Sequence, residues 1–164
     1  MSELDEIAAL RAEQDELQLP FFDAALAWRI GAYIHARAEA ADMPITFEVS
    51  RLGQRLFYCA MPGAVPDGAA WVHRKRMVVE RFHCSSLLMK LLADQQGRPL
   101  LERYVLSPDD YCSSGGGVPV IVRGTGTIGV VTVSGLTQFE DHMLAADAIR
   151  HVIAEIAATG SADR

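Results

Sequence analysis

The chain has 164 residues, half of them hydrophobic, and a formal net charge of −6. This length suits one domain with its own core, and the negative charge argues against binding along a nucleic-acid backbone. The three cysteines form no C-x-x-C pair, no apolar run approaches the roughly 20 residues that span a bilayer, and the acidic start is unlike a signal peptide. We therefore expect a cytoplasmic protein with reduced thiols, no membrane span, a single domain over residues 1–160 and a frayed tail at 161–164.

The first half of the chain predicts two helices and a β-hairpin. Apolar residues recur at helical spacing over residues 2 to about 19, with Ser2 as the N-cap. The same spacing covers residues 23 to about 41, and Met43 and Pro44 stop that run. Apolar and polar residues then alternate between 45 and 61, which indicates a hairpin with one buried face.

The second half predicts a long helix, three strands and a terminal helix. Helical spacing over residues 69 to about 93 predicts the longest helix, residues 100 to 106 a short strand, and Ser107-Pro108 another helix start. Residues 118–123 and 127–134 predict a second hairpin, and Thr137 with Glu140 forms a capping box that opens the last helix. This order indicates an α+β domain with a mostly antiparallel sheet.

An apparent nucleotide-binding fingerprint lies inside the second hairpin. Gly124, Gly126 and Gly129 match G-x-G-x-x-G, a motif that needs a strand before it and a helix after it. The residues that follow alternate as a strand does. We therefore interpret the glycines as part of a hairpin turn and predict no nucleotide cofactor.

The long predicted helix has a basic first half that suits an anion. Arg74 and Arg81 are seven residues apart and share a face, although a solvated surface with an Arg76–Glu80 pair explains the same sequence. Glu80 and His83 have the spacing of half a di-metal site, but the chain holds no second copy of that spacing. The sequence therefore predicts no structural metal.

Asp141 and His142 open the last helix close to the turn at Ser134. A carboxylate and an imidazole at a helix start form either a cap or the edge of a ligand site, and both interpretations stay open. No G-x-S-x-G elbow accompanies the Ser-Ser pairs that follow Cys84 and Cys112, so covalent catalysis is not predicted.

Three consecutive glycines, Gly115, Gly116 and Gly117, precede the second hairpin. Glycine is costly to order on folding, so such a run is usually kept for positive φ angles or for close approach to the backbone. We expect either a ligand or another backbone segment to pack there.

The same segment carries a family resemblance. The run G-G-G-V-P-V from Gly115, the strand I-G-V-V-T-V-S-G after it and Asp141 in the last helix resemble the haem-degrading-domain superfamily of GlcG and HbpS-like proteins. The segment W-V-H-R-K ending at Lys75, the segment R-F-x-x-S-S ending at Ser86, and His142 are similar to a branch of uncharacterised proteins. The resemblance covers nearly the whole chain.

The resemblance implies a profilin-like three-layer α/β/α fold with a five-stranded, mostly antiparallel sheet, and assembly into a higher homo-oligomer. It also implies haem as a candidate cofactor, because some members bind or degrade haem. No reaction is assigned to the branch, and one eukaryotic relative is linked to tail-anchored protein biogenesis. The sequence has no C-x-x-C-H motif, so it adds no support for axial haem ligation.

Two functions therefore stay open, and the sequence does not decide whether the protein is an enzyme. In the first, a small anionic ligand or haem binds in a pocket formed by the triple-glycine loop, the long helix and the His142 turn. In the second, the protein is a non-catalytic homo-oligomeric scaffold that binds protein partners. The candidate ligand-binding residues are Arg74, Arg81, His83, Gly115, Gly116, Gly117, Ser134, Asp141 and His142.

Overall fold

A computed structural model describes residues 1–160, and the frayed tail expected at 161–164 lies outside the described residues. The elements in chain order are α1 Glu3–Glu16, β1 Gln18–Leu19, α2 Ala24–Ala40, β2 Thr46–Arg51, β3 Gln54–Ala60, α3 Asp67–Phe82, α4 Ser86–Gln96, α5 Leu100–Tyr104, β4 Gly117–Val122, β5 Gly126–Ser134 and α6 Gln138–Thr159. Between residues 1 and 160, no helix combines the length and the apolar character that crossing a membrane requires.

The five strands form one sheet in the order β1-β4-β5-β2-β3. β1 runs parallel to β4, and all other neighbours are antiparallel. Helices α2 and α6 cover one face of the sheet and α3 covers the other. The three-layer α/β/α fold with a five-stranded, mostly antiparallel sheet is thus confirmed.

The two faces of the sheet differ in polarity. Because side chains alternate along a strand, Phe47 and Val49 of β2 point into the apolar core beneath α2 and α6. Thr46, Glu48 and Ser50 of the same strand point to the α3 side, and all three are buried. The layer beneath α3 therefore holds polar groups, which need partners there.

The helix predicted over residues 69 to about 93 is two helices, so that prediction is wrong. His83 adopts a left-handed conformation with φ of 57° and ends α3. The Ser85 hydroxyl then accepts a hydrogen bond from the Leu88 amide and caps α4. The longest helix is instead α6, with 22 residues.

The fifth strand is also not the predicted one. Residues 100–106 were expected to form a strand but form the short helix α5, and Ser107-Pro108 begins a single turn rather than a helix. A short apolar run does not distinguish a strand from a helical turn, because both periods fit it. Helix α1 ends at Glu16, earlier than expected, and Gln18 and Leu19 supply the fifth strand.

Both predicted hairpins and the capping box are confirmed. Gly124 and Gly126 have φ angles of 79° and 109° at the turn between β4 and β5, and Gly129 lies inside β5. The Thr137 hydroxyl accepts from the Glu140 amide while the Glu140 carboxylate accepts from the Thr137 amide. The terminal helix thus begins where the sequence places it.

Candidate functional site

Lys75 of α3 and Asp141 of α6 form a buried ion pair above the sheet. Lys75 Nζ lies 2.9 Å from Asp141 Oδ2 and donates to the carbonyl of Val133 at 3.1 Å, while Asp141 Oδ1 accepts from the Leu136 amide. Burial raises the pKa of Asp141, and the Lys75 charge and these hydrogen bonds oppose that rise. Asp141 therefore connects the start of α6 to α3 and β5.

The triple-glycine loop packs against the chain itself. A Cβ atom at Gly116 would lie 2.3 Å from the Val133 carbonyl oxygen and 2.8 Å from Lys75 Nζ, and one at Gly115 would lie 2.7 Å from the Gln138 carbonyl oxygen. The Gly117 amide donates to the Ser86 hydroxyl at 2.9 Å. The sequence predicts either a ligand or another backbone segment at this loop. The structure has backbone atoms and neighbouring side chains packed against it.

Three predicted site residues lie on the outer surface of α3. The Arg74 guanidinium lies 4.1 Å from the centre of the Trp71 ring, and the Arg81 guanidinium lies 5.8 Å from that of Tyr111. His83 is exposed at the end of the helix. Within the part of the chain that the structure describes, no hydrogen bond or ion pair joins these three residues to His142.

The alternative interpretation of the basic surface is supported at Arg76. Its guanidinium donates to Glu80 at 3.1 Å, which is the i,i+4 pair that the sequence suggests. Arg76 Nε also lies 3.0 Å from buried Glu48, without the alignment of a hydrogen bond, and Arg55 donates to the other oxygen of Glu48 at 2.7 Å. Sequence reasoning missed Glu48 because alternation alone does not identify a buried acid.

His142 is almost fully buried at the first turn of α6, with 2% of its surface exposed. Its Nε2 lies 2.6 Å from Glu13 Oε1 of α1, and Arg150 donates to Glu13 Oε2 at 3.2 Å. Burial raises the pKa of Glu13, but the hydrogen bonds and charges of His142 and Arg150 outweigh burial and lower it overall. His142 Nδ1 is buried without a hydrogen-bond partner.

A groove opens beside this pair, between α1, α4 and α6; we call it the α1/α6 groove. Its polar lining residues are Glu6, Glu13 and His142. Its apolar lining residues are Met1, Ala9, Leu10, Leu87, Leu91, Phe139 and Met143. An apolar groove with a few converging polar groups is the usual form of a small-molecule site. The sequence predicted His142 but not Glu13, because 129 residues separate them.

Ser134 lies in a different groove, at the start of α3. It is the cross-strand neighbour of Thr46, and both residues line this groove together with Gly68 and Trp71. The predicted site residues are thus distributed over α3, the glycine loop, the buried Lys75–Asp141 pair and two separate grooves.

The three thiols have environments that suppress reactivity. Burial raises the pKa of Cys84 to about 11, and burial also raises the pKa values of Cys59 and Cys112. Since the thiolate is the nucleophile, a raised pKa disfavours a nucleophilic role for these cysteines at neutral pH. Among residues 1–160, no group of three or more His, Cys, Asp or Glu side chains is arranged to hold a metal ion.

The chain is similar to known proteins over most of its length. A family model described as haem degrading protein HbpS-like matches residues 22–150. A UPF0303 protein of Serratia proteamaculans is 42% identical over 149 residues, which are 91% of this chain and 92% of that protein. A UPF0303 protein of Streptomyces coelicolor is 39% identical, over 91% of this chain and 94% of its own.

Solved structures share the fold. The crystal structure of the Ybr137w protein superposes with a TM-score of 0.82 at 25% identity, covering 91% of this chain and 88% of its own. The complex of PduOC with heme gives a TM-score of 0.67 at 19% identity, over 79% of this chain and 93% of its own. Both the matching family model and the UPF0303 relatives agree with the resemblance seen in the glycine-rich segment, and the chain belongs to the HbpS-like haem-degrading protein family.

Proposed function

We propose that this protein binds a flat, largely apolar ligand of the haem class in the α1/α6 groove. The observation that carries the proposal is the pairing of apolar walls with a buried imidazole, His142, whose Nδ1 lacks a partner. The family description and the heme complex of PduOC name the class of ligand. The sequence-based pocket at the glycine loop is the competing location.

The lining of the α1/α6 groove fits the ring of a haem better than its iron. Leu10, Leu87, Leu91 and Phe139 offer the apolar contacts that a porphyrin face requires. Nε2 of His142, however, is occupied by Glu13 at 2.6 Å. Coordination of iron by Nε2 would break that buried contact, and Nδ1 is itself fully buried, so we propose binding through the ring and derive no reaction at the metal.

A titration tests this proposal with two ligands. Haem added to the purified protein should give a saturable Soret shift, and metal-free protoporphyrin should bind within about threefold of haem, because the ring carries the affinity. An unshifted spectrum at micromolar haem overturns the proposal. Strong preference for haem over the metal-free ring would show that iron is ligated instead.

Two histidine variants locate the site. His142→Ala should weaken binding, because it removes the polar end of the α1/α6 groove. His83→Ala lies outside that groove and serves as the matched control. If His83→Ala weakens binding and His142→Ala does not, the ligand occupies the groove beside the end of α3 instead.

A second function is supported by exposed apolar side chains near the same groove. Phe139 and Met143 are 47% and 51% exposed, and Met1 and Leu4 of the first turn are more exposed still. Apolar clusters on a surface often mark a protein interface. In this alternative the protein is a homo-oligomeric scaffold, and light scattering should give a multiple of the chain mass; a strictly monomeric mass contradicts it.

A further inference from the structure

Two largely buried residues with hydroxyl groups lie next to each other on the α3 side of the sheet. Thr46 of β2 and Ser134 of β5 are paired across the strands and are 2% and 7% exposed. Both line a groove that also includes Pro44, Gly63, Asp67, Gly68, Trp71 and Gly135; we call it the α3 groove. Within residues 1–160 neither hydroxyl bonds to another protein group, and neither oxygen is among the fully buried unpartnered atoms, so both reach the surface of the groove. Two neighbouring hydroxyls that donate to no protein group are available as donors to a ligand in this groove.

The positive end of a long helix points at the same groove. Helix α3 has 16 residues and begins at Asp67, and its N-cap residue is Pro66, which provides no side-chain hydrogen bond. No side chain caps this helix start, although the Gly68 and Ala69 amides donate to the Val65 and Pro66 carbonyls and Asp67 is acidic. The helix dipole that remains favours an anion.

Gly68 keeps the first turn of α3 close to the hydroxyl of Thr46. A Cβ atom at Gly68 would lie 2.4 Å from Thr46 Oγ1. Any larger residue would therefore press on that hydroxyl and displace it. The glycine leaves the Thr46 hydroxyl accessible from the groove, beside the helix start.

An aromatic ring lines the α3 groove, and a cation that does not itself line the groove lies against that ring. Trp71 lines the groove, and the Arg74 guanidinium lies 4.1 Å from the centre of the Trp71 ring. The carboxylate of Asp67 also lines the groove, but it accepts a hydrogen bond from Trp71 Nε1 at 3.1 Å. Asp67 thus orients the indole, while the hydroxyls, the helix start and Arg74 favour a negatively charged group.

We infer that the α3 groove binds a small oxyanion, the carboxylate or phosphate group of a ligand, through the Thr46 and Ser134 hydroxyls and the start of α3. This inference is independent of the proposed haem-class function, because the α3 groove and the α1/α6 groove share no lining residue. It assigns Thr46 and Gly68 a binding role that sequence patterns did not suggest.

The test uses Trp71 as a reporter. The chain has two tryptophans, and Trp28 is exposed, so a Trp28→Phe background leaves Trp71 as the reporter at the groove. Inorganic phosphate and acetate are titrated separately, with sodium chloride at matched ionic strength as the control. The expected result is saturable quenching by one or both anions and a shift of the Gly68 and Gly135 amide signals. A linear response equal to that of chloride overturns the inference.

Variants connect the response to the hydroxyls. Thr46→Val combined with Ser134→Ala should weaken anion binding by about tenfold, because two donors are lost. Arg74→Gln should weaken it by a few fold. Ser50→Ala is the matched control, since Ser50 lies on the same face of β2 but donates to the Val130 carbonyl and does not line the groove.

These variants also define the failure of the inference. If the double variant keeps its wild-type melting temperature and binds anions as the wild type does, the hydroxyls are not ligands. Should the double variant fail to fold, the wild-type amide shifts still decide the matter, because silence at Gly68 and Gly135 rules out occupation of the groove.

Discussion

His142 Nε2 lies 2.6 Å from Glu13 Oε1 and thereby joins the last helix of the fold to the first. Both residues line the α1/α6 groove, and Arg150 donates to the second oxygen of Glu13. Helix α1 packs mainly on α4 and has a single buried residue, Ile7. We therefore expect this pair to contribute strongly to the docking of α1.

Glu13→Gln should destabilise the protein by about 1–2 kcal/mol near neutral pH, because a charged acceptor of two hydrogen bonds is lost. The pKa of Glu13 is lowered from its ordinary value of 4.5. A lowered pKa gives stability that is present above the unfolded value and is lost as pH falls through the folded value. The difference in unfolding free energy between Glu13→Gln and the wild type should therefore shrink in acid. Urea unfolding at several pH values measures this difference.

The control for this experiment lies on the same helix. Glu16 is exposed in the last turn of α1, and Glu16→Gln should change stability by at most a few tenths of a kcal/mol. If Glu13→Gln and Glu16→Gln behave alike at all pH values, the Glu13–His142 contact does not stabilise the docked helix.

Lys75→Met should cost about 3–5 kcal/mol, because it leaves the carboxylate of Asp141 buried without its cation. Adding Asp141→Asn should recover part of this loss, since a neutral amide tolerates burial and its oxygen can still accept from the Leu136 amide. Chemical unfolding of the single and double variants measures this coupling. Strict additivity would mean that the two side chains do not interact.

Lys90→Met provides the surface comparison. Lys90 pairs with Asp94 one turn along α4, where the carboxylate is 47% exposed. Exposed pairs of this type contribute little, so the variant should lose at most about 0.5 kcal/mol. A loss similar to that of Lys75→Met would argue against burial as the cause.

The thiol of Cys84 should react slowly in the folded protein. Burial raises its pKa to about 11, so little thiolate is present at neutral pH. Iodoacetamide labelling followed by mass spectrometry should modify Cys84 at least about tenfold more slowly in native protein than in urea. Equal rates would show that the segment between α3 and α4 opens readily.

Local patterns predicted the elements that are defined by neighbouring residues. The alternation in residues 127–134 and the Thr137–Glu140 box specify β5 and the start of α6 through contacts a few residues apart. The break at His83 carried a local signal as well, because Ser85 is a good N-cap. The continuous apolar spacing on both sides concealed it.

Long-range contacts could not be predicted in the same way. β1 is only two residues long and exists because Gln18 and Leu19 pair with β4, more than 100 positions away in the chain. The partner of His142 is Glu13, and nothing in the sequence around either residue indicates the other. The resemblance supplied the five-stranded sheet, but not which segment forms its edge.

Gly116→Ala should be strongly destabilising. Gly116 has a φ angle of 136°, and a Cβ atom there would lie 2.3 Å from the Val133 carbonyl oxygen, which is rigid backbone in β5. Backbone strain and displacement of the strand should together cost about 3 kcal/mol or more, or prevent folding.

Gly124→Ala is the matched control, because Gly124 has a φ angle of 79° but no atom within 4 Å of the added carbon. It should lose only about 1 kcal/mol through its left-handed conformation. Thermal unfolding compares the two: a large difference identifies close backbone packing as the reason for the triple glycine, whereas equal losses would leave conformational freedom alone as its reason.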